Sequence, residues 1–405
     1  MAGPLPEGLM PSADGRLPEG IVPNSQTPFS AYVHVPYCRV RCGYCDFNTY
    51  TSDELRGSRR ETYGETVGRE ISLARKSLTR VGDNRAVSTV FFGGGTPTLL
   101  PAESLVAMLD ELSATFECEA DVEVTTEANP DTVDSAYFDT LVAGGFTRVS
   151  LGVQSVVPHV LATLDRTHDA ERISGVVAAA KASGLAVSVD VIFGTPGETL
   201  DDWRRTLDAV VGFQLDHVSA YALIVEAGTA LERRIRRGDV APVDDDLHAD
   251  MYELADEVLG GGGLAWYEIS NWARTPETRS KHNLAYWRNH DWWGFGPGAH
   301  SHIAGARWWN VKHPAEYQQR LEAEKTPAVG YEIPDAPARE LERLMLGLRL
   351  SDGLERAQTN QAEVLALVRD GLLIDEAAQG GQLVLTLAGR LRADEVVRRL
   401  VETDD

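Results

Sequence analysis

Six short runs of apolar and β-branched residues follow one another from Ala31 onward, and stretches with helical periodicity separate them. The runs are AYVHVP, VSTVFFGGG, DVEVTTEA, FTRVSLGVQ, AVSVDVIFG and HVSAYALIV. Strands that alternate with amphipathic helices predict successive βαβ units and a parallel sheet. Eight such units would close a barrel, so six predict an incomplete one, a partial (β/α)6 barrel. Small or polar residues end each run, at the edge where such folds place their sites.

The pattern also divides the chain into regions. Residues 1–28 carry repeated Pro and Gly without any regular period, which predicts a flexible leader before a core domain at 29–262. Residues 263–336 form an aromatic-rich linking region, since the stretch Trp266–Trp309 holds seven of the eight tryptophans. That density indicates either an apolar core or a platform for a large flat ligand.

Residues 337–405 show a second change of pattern. Helical periods come first, and the segment LLIDEAAQGGQLVLT at 372–386 then predicts a β-hairpin with a Gly-Gly turn before a last helix. Helices followed by a hairpin are typical of a small winged-helix-like module. We therefore expect a mainly helical C-terminal module that packs on the core domain or on a partner protein.

Composition narrows the class of partner. The chain has 38 Lys and Arg against 61 Asp and Glu, a formal net charge of −23, which argues against a nucleic-acid partner. No apolar run is long enough to span a bilayer, so no transmembrane segment is expected. The first residues lack the basic and apolar parts of a secretory signal. These features predict a cytoplasmic protein with reduced cysteines.

Three of the four cysteines lie within eight residues, on the loop after the first strand. Cys38, Cys42 and Cys45 have the spacing C-x3-C-x2-C, which suits zinc or an iron-sulfur cluster. Zinc would need a fourth ligand, and His34 could supply it. Three thiolates on a 4Fe-4S cluster leave one iron free to bind the amino and carboxylate groups of S-adenosylmethionine (SAM). Cys118 lies far away and is expected to be a small, half-buried residue.

The wider context resembles a known family. The cysteine spacing and the FFGGGTP segment after the second strand are similar to those of the radical SAM superfamily, whose TIM-like barrel is incomplete. Over residues 30–400 the order and spacing of several motifs resemble the oxygen-independent coproporphyrinogen oxidases and their heme-chaperone relatives. These motifs are TTEANP, RVSLGVQS, LDRTH, VDVIFGTPGET, HVSAYALIVEAGT, YEISNWA, HNLAYWR and GFGPGAHS.

The resemblance implies two sets of SAM contacts. The residues expected around the SAM on the cluster are Tyr32, Tyr44, Gly94 and Glu127. The residues that match contacts to a second SAM in the oxidases are Gly95, Thr96, Gln154, Arg166 and Asp190. Carboxylates at strand ends suit a ribose or an ammonium, and an arginine suits a carboxylate. Helix caps, solvated loop carboxylates and an isolated surface arginine are the structural alternatives.

Two features favour the heme-chaperone branch. Phe47 stands where the oxidases have a fourth cysteine, and HNLAYW resembles a motif implicated in that branch in heme binding. His282 could ligate heme iron while neighbouring Tyr and Trp rings contact the macrocycle, although a hydrogen-bonded structural histidine is the alternative. His300 and His302 are weaker candidates, because GPGAHS also occurs in the oxidases.

The resemblance therefore predicts a heme-binding chaperone with a 4Fe-4S cluster and SAM, which hands heme to an unidentified acceptor protein. The net charge leaves a membrane-bound acceptor possible. The alternative is an oxygen-independent coproporphyrinogen III oxidase, which converts propionate side chains to vinyl groups by radical decarboxylation. A third hypothesis is a zinc-stabilised binding protein without radical chemistry.

Overall fold

The computed structural model describes residues 5–55, 59–166, 170–356 and 360–401. The strands are β1 (Phe29–Val35), β2 (Val87–Gly94), β3 (Cys118–Ala128), β4 (Arg148–Gln154), β5 (Ala186–Phe193), β6 (His217–Ala222), β7 (Ala265–Glu268), β8 (Asn271–Ala273), β9 (Asp291–Phe295), β10 (His300–Ile303), β11 (Ala306–Asn310), β12 (Ala328–Glu332), β13 (Leu354–Glu355) and β14 (Gln382–Leu383).

The helices alternate with the first strands and then dominate the C-terminal part. They are α1 (Tyr63–Arg80), α2 (Ala102–Thr115), α3 (Ser135–Ala143), α4 (Pro158–Thr163), α5 (Ala170–Ala182), α6 (Leu200–Gly212), α7 (Ala230–Arg236), α8 (Asp245–Gly261), α9 (Lys281–Trp287), α10 (Pro314–Glu322), α11 (Ala336–Gly347), α12 (Gln361–Arg369), α13 (Asp375–Gln379), α14 (Leu387–Leu391) and α15 (Ala393–Val401).

The predicted incomplete barrel is confirmed. Strands β1 to β6 lie side by side in chain order, and each pairs in parallel with the next. The sheet stays open, because β6 and β1 have other neighbours rather than each other. Each of the six predicted runs forms one of these strands, because their β-branched and apolar residues favour extended backbone and pack under the helices.

The aromatic-rich region supplies strands to both edges of this sheet. On one side β9 pairs in parallel with β1, and β10, β11 and β12 follow in antiparallel order. On the other side β8 pairs antiparallel with β6, and β7 pairs with β8. Residues that the sequence suggested as a linking region thus belong to the same sheet as the barrel strands.

The helices that alternate with the barrel strands pack on the sheet through their apolar faces, as α1 shows. In α1, Val67, Ile71, Ala74 and Leu78 recur at intervals of three and four residues and are fully or almost fully buried. That spacing puts them on one face of a helix, where they pack on the strands. The inner face of β1 to β6 remains partly polar and lines the cavity described below.

The C-terminal module has a small apolar core of its own, formed by Leu344, Leu367, Val396 and their neighbours. The two arms of the predicted hairpin at 372–386 pair antiparallel at Leu373 and Leu385, but the Gly-Gly turn is wrong, because residues 375–379 form helix α13 and Gly380 caps its end. Two alanines and two acidic residues in the first turn favour that helix over a strand. Strand β14 pairs instead with β13. The buried Arg390 connects the module to Asp256 of α8 through a 2.7 Å ion pair.

The described part of the leader, residues 5–28, has no helix and contacts the sheet. Leu9 exchanges two backbone hydrogen bonds with Tyr331 of β12, and Leu17 and Ile21 pack against the main core. Among the described residues, no helix combines the length and apolarity needed to cross a membrane.

Candidate functional site

A cavity of about 710 Å³ opens at the carboxyl ends of β1 to β6. The predicted SAM contacts, the three cluster cysteines and the leading heme candidate, His282, all line it. These residues are Tyr32, Cys38, Cys42, Tyr44, Cys45, Gly94, Gly95, Thr96, Glu127, Gln154, Arg166, Asp190 and His282. Parallel strands bring their carboxyl ends to one edge, so residues far apart in the chain meet there.

The three cysteines of the loop after β1 are half-buried and face the cavity. Thr96 Oγ1 lies 4.0 Å from Cys38 Sγ, and Arg166 Nη1 lies 3.9 Å from Cys42 Sγ. Burial raises the pKa of Cys45 to about 11 and also raises that of Cys38. These thiols are therefore protonated in the metal-free protein, and binding to iron would release their protons.

Asn48 connects this loop to two segments that lie 249 and 264 residues further along the chain. Its Nδ2 donates to the carbonyl oxygens of Pro297 and Lys312, at 2.9 Å each. The Pro297 turn is held in place from α1, where the buried Glu70 accepts the Gly296 N–H at 2.8 Å. The GFGPGAHS motif thus supports the cysteine loop from behind.

The glycine segment after β2 passes close to the first strand. Gly94 has φ +110°, and a Cβ there would lie 2.5 Å from the ring of His34. Only glycine fits this conformation and this contact. The Gly94 N–H donates to Glu127 Oε2 at 3.1 Å, and Gly95 N–H donates to the Val35 carbonyl. The segment thereby places backbone beside both the cysteine loop and Glu127.

Two half-buried carboxylates, Glu127 and Asp190, line the cavity and interact with each other. Burial and the charge of Asp190 raise the pKa of Glu127 to about 8, although the Gly94 N–H opposes this. Burial also raises the pKa of Asp190, whose Oδ2 accepts from Ser150 Oγ at 2.9 Å. Such a pair favours a cationic ligand. An ammonium or sulfonium would offset the cost of the desolvated negative charges and reduce the repulsion between them.

Arg166 lies against strand β4 instead of in solvent. Its Nη2 donates to the Gly152 carbonyl at 2.6 Å, and a Cβ at Gly152 would lie 3.3 Å from the same nitrogen. Gln154 ends the strand with φ +64°. This strained backbone turns its side chain toward Arg166 and the cavity, which fits a binding role better than an isolated surface position.

The α9 helix forms the opposite wall of the cavity. His282 is 1 % exposed, and its ring stacks on Phe91 with centroids 4.9 Å apart. Nδ1 lies 2.7 Å from Thr89 Oγ1, and Nε2 lies 2.9 Å from Tyr286 Oη. Burial lowers the pKa of His282 to about 3, so the imidazole is neutral. Both nitrogens have partners, and iron ligation through Nε2 would require Tyr286 to move.

Other candidates from the sequence lie outside this cavity. His300 is exposed, and His302 is buried with Nδ1 3.0 Å from the His290 carbonyl. Cys118 is half-buried at the start of β3, near the Phe116 carbonyl. His34 bonds Tyr32 Oη and the Asn48 carbonyl, each at 2.9 Å. Since both its nitrogens are used, this geometry opposes a zinc site completed by His34.

Buried charges on the inner face were missed by the sequence reasoning. Arg148 Nε lies 3.2 Å from Glu123 Oε2, and Glu123 Oε1 accepts the backbone N–H of His282. His217 also lines the cavity. Each of these residues is a charged or imidazole side chain within an otherwise apolar strand. Such residues are seldom buried without a partner, so this pattern in the sequence could have indicated them.

The residues present fit an iron-sulfur cluster better than a single ion. Among the residues that the structure describes, no three His, Cys, Asp or Glu side chains are arranged to hold one metal ion. A 4Fe-4S cluster presents its irons at separate corners, so its cysteines need not converge on one point. The soft thiols, the nearby Arg166 and the open cavity suit such a cluster with a ligand beside it.

This fold and cysteine loop define a protein of the radical SAM type. The model of the Radical SAM superfamily matches residues 32–210. The solved structure titled coproporphyrinogen III oxidase (HemN) from Escherichia coli superposes with a TM-score of 0.78 and covers 93% of this chain and 91% of that one. Its sequence identity is 23%, so this likeness concerns the fold.

Sequence comparison narrows the class to one family. The heme chaperone HemW of Mycobacterium tuberculosis H37Rv is 49% identical over 378 residues, which cover 92% of this chain and 95% of that protein. The heme chaperone HemW of Bacillus subtilis is 32% identical and covers 91% of this chain and 97% of that protein. The chain belongs to the HemW family of the radical SAM superfamily, which confirms the resemblance seen in its motifs.

Proposed function

We propose that this chain is a cytoplasmic heme chaperone that holds a 4Fe-4S cluster and SAM, binds heme and transfers it to an acceptor protein. One observation carries the proposal. The cysteine loop and the α9 helix with its HNLAYW sequence are two walls of the same cavity. The name of the relatives at 49% and 32% identity supports the heme part.

The residues of the chain have distinct roles in this proposal. Cys38, Cys42 and Cys45 hold the cluster, and Glu127 with the Gly94 backbone contacts the amino group of SAM. When bound, the cluster supplies an electron for reductive cleavage of SAM. The raised pKa of Glu127 means that a cation entering the cavity displaces a proton from this carboxyl group.

For heme we propose the aromatic wall formed by α9. His282 is neutral and so has a lone pair available for iron, and Tyr286 contacts its ring edge-on at 4.8 Å. The hydrogen bond between Nε2 and Tyr286 Oη closes this position. Heme ligation by His282 therefore includes a rotation of the Tyr286 side chain away from the ring.

The test is an anaerobic incubation of the reconstituted protein with heme and, separately, with coproporphyrinogen. We expect a stable Soret band with heme and no useful conversion of coproporphyrinogen to protoporphyrinogen. Sustained protoporphyrinogen production would overturn the chaperone proposal in favour of the oxidase. Absence of heme binding would overturn the heme part, and a zinc content without iron or sulfide would overturn the cluster.

A further inference from the structure

The inner end of the cavity holds polar side chains that the proposed function leaves without a role. Ser188 of β5 and His217 of β6 are neighbours in the parallel register, and Asp190 and Ser219 form the next inward pair toward the strand ends. All four line the cavity. Because the cysteine loop lies at the strand ends, Ser188 and His217 lie one layer deeper than the proposed SAM contacts.

His217 presents a hydrogen-bond donor that has no acceptor. Its ring is 2 % exposed, and Nε2 lies 2.8 Å from Tyr267 Oη. Tyr267 Oη accepts the Ser280 N–H at 3.2 Å, and its own hydrogen has no acceptor among the described residues other than His217 Nε2. The arrangement that pairs this hydrogen therefore has Tyr267 donating to Nε2. The remaining hydrogen of the imidazole is then on Nδ1, which has no partner among the described residues. A buried donor left unpaired is costly unless a ligand completes it.

Ser188 adds a second donor beside the first. Arg148 Nη1 donates to Ser188 Oγ at 3.1 Å, which leaves the hydroxyl hydrogen of Ser188 for another acceptor. The guanidinium of Arg148 is held in place, since Nη2 donates to the Thr278 carbonyl at 3.0 Å. Two donors on neighbouring strands, with a positive charge next to them, match the two oxygens of a carboxylate.

The negative charges nearby are compensated. Glu123 pairs with Arg148 and accepts the N–H of His282. Asp190 accepts hydrogen bonds from Ser150 and Ser219, and burial raises its pKa, which weakens its repulsion of a second carboxylate. The donors of Ser188 and His217 are therefore not opposed by an uncompensated carboxylate of Glu123 or Asp190.

We propose that Ser188 and His217 form a subsite for a carboxylate of a ligand that reaches the inner end of the cavity. This inference rests on the proposed function, which supplies two sources of that group. A propionate of heme is one source, and the methionine carboxylate of a second SAM molecule, one that is not bound to the cluster, is the other. The subsite would orient the ligand, because only one end of either molecule carries the group that it recognises.

Two substitutions of His217 distinguish its Nδ1 donor from its structural contact to Tyr267. His217→Gln places its amide near Nε2, which keeps the contact to Tyr267 and removes the donor at Nδ1. His217→Asn places an amide N–H near Nδ1 and loses the contact to Tyr267. A merely structural histidine would be damaged more by Asn, whereas a ligand-binding histidine is damaged more by Gln.

The first probe pair is heme against heme dimethyl ester, titrated anaerobically into the cluster-loaded chain. The second is SAM against decarboxylated SAM, titrated into the cluster-free chain so that iron does not bind the carboxylate. We expect the wild type to prefer the free carboxylate of one pair by about ten-fold to a hundred-fold. His217→Gln and Ser188→Ala should abolish that preference, and His217→Asn should retain it. The matched control is Ser183→Ala, since Ser183 Oγ donates to Asp139 Oδ1 at the surface.

If the His217→Gln and Ser188→Ala variants lose the preference for the free carboxylate within one probe pair, that pair identifies the source of the carboxylate. Equal affinities for both members of each pair in the wild type, or equal losses in His217→Gln and His217→Asn, would overturn the subsite. A wild type that binds neither heme nor its ester would contradict the proposed function instead, and the SAM pair would still test the subsite.

Discussion

The cysteine-loop wall and the α9 wall of the cavity differ in how fully their polar groups are paired. Thr96 Oγ1 lies 4.0 Å from the sulfur of Cys38, Arg166 Nη1 lies 3.9 Å from that of Cys42, and both thiols are half-buried. His282 on the α9 wall has partners at 2.7 and 2.9 Å on its two nitrogens and is almost fully buried. The first wall is open to a ligand, and the second is complete without one.

Because of this difference, a ligand can bind at the cysteine-loop wall without rearrangement, whereas binding at the α9 wall requires one. A group that binds at the cysteine loop gains contacts and breaks none of the strong hydrogen bonds described here. Ligation at His282 exchanges an existing buried hydrogen bond for a bond to iron, so its net free energy is reduced by that loss. The comparison leads to predictions that range from loss of the cluster to a modest change in stability.

The largest effect is expected at the cysteine wall. Replacing Cys38, Cys42 or Cys45 by Ser should abolish an oxygen-sensitive 4Fe-4S cluster, because one of only three protein ligands is lost. Iron and sulfide content and the thiolate-to-iron absorption after anaerobic reconstitution measure this. Cys118→Ser is the matched control and should keep full cluster content. Normal cluster yield in Cys42→Ser would refute the assignment.

Glu127→Ala should weaken SAM binding and spare the cluster. Loss of a charge-assisted hydrogen bond costs about 1.5 to 3 kcal/mol, or roughly ten-fold to more than a hundred-fold in affinity. The electron paramagnetic resonance signal of the reduced cluster should shift with SAM in the wild type and need higher concentrations in the variant. Glu119→Ala, an exposed position on the same strand, is the control. A wild-type signal that ignores SAM would contradict the site.

The affinity for SAM should also depend on pH. Glu127 is protonated below its pKa of about 8, whereas the amino group of SAM donates a hydrogen bond to its ionised form. Each unit of pH below about 8 should therefore weaken binding by up to about ten-fold, and the dependence should fade above that value. Equilibrium binding between pH 6 and 9 measures the slope. Glu127→Gln should flatten it, and an unchanged slope in this variant would assign the titration to another group.

The α9 wall is tested by a pair of substitutions. If His282 ligates heme iron, His282→Ala should shift the Soret band and weaken heme binding. Tyr286→Phe removes the competing hydroxyl, so it should retain the spectrum with equal or higher affinity. Heme titration of both variants shows whether His282 ligates the heme iron or only stabilises the wall. An unchanged spectrum and affinity in His282→Ala would make it a structural histidine and direct the search to His300 and His302.

The smallest effect is expected behind the cysteine loop. Asn48→Ala removes two hydrogen bonds to carbonyl oxygens and should lower the free energy of unfolding by about 1 to 3 kcal/mol. Thermal or denaturant unfolding of the metal-free protein measures it. Asn24→Ala, at an exposed turn, is the control and should stay within about 0.5 kcal/mol. An effect no larger than that control would show that the loop needs no such support.

Local patterns predicted β1 to β6 because each strand is a short run rich in β-branched and apolar residues between helical stretches. They failed at residues 375–379, where helix propensity and tertiary packing outweigh the strand-like residues on either side. They also gave no indication that β8 and β9 join opposite edges of one sheet. Those pairings connect segments that are distant in the chain, and hydrophobic periodicity carries no information on which strand lies beside which.

The sequence by itself determined the chemistry available to the protein, since the spacing of Cys38, Cys42 and Cys45 on one short loop is a local property. It also determined which strand ends carry Glu127 and Asp190. Only the tertiary structure decided that His282 lies beneath Phe91 with both nitrogens bonded, and that His217 keeps an unpaired Nδ1 in the same cavity. Burial and hydrogen-bond partners depend on contacts across the whole fold, because each is supplied by a different strand or helix.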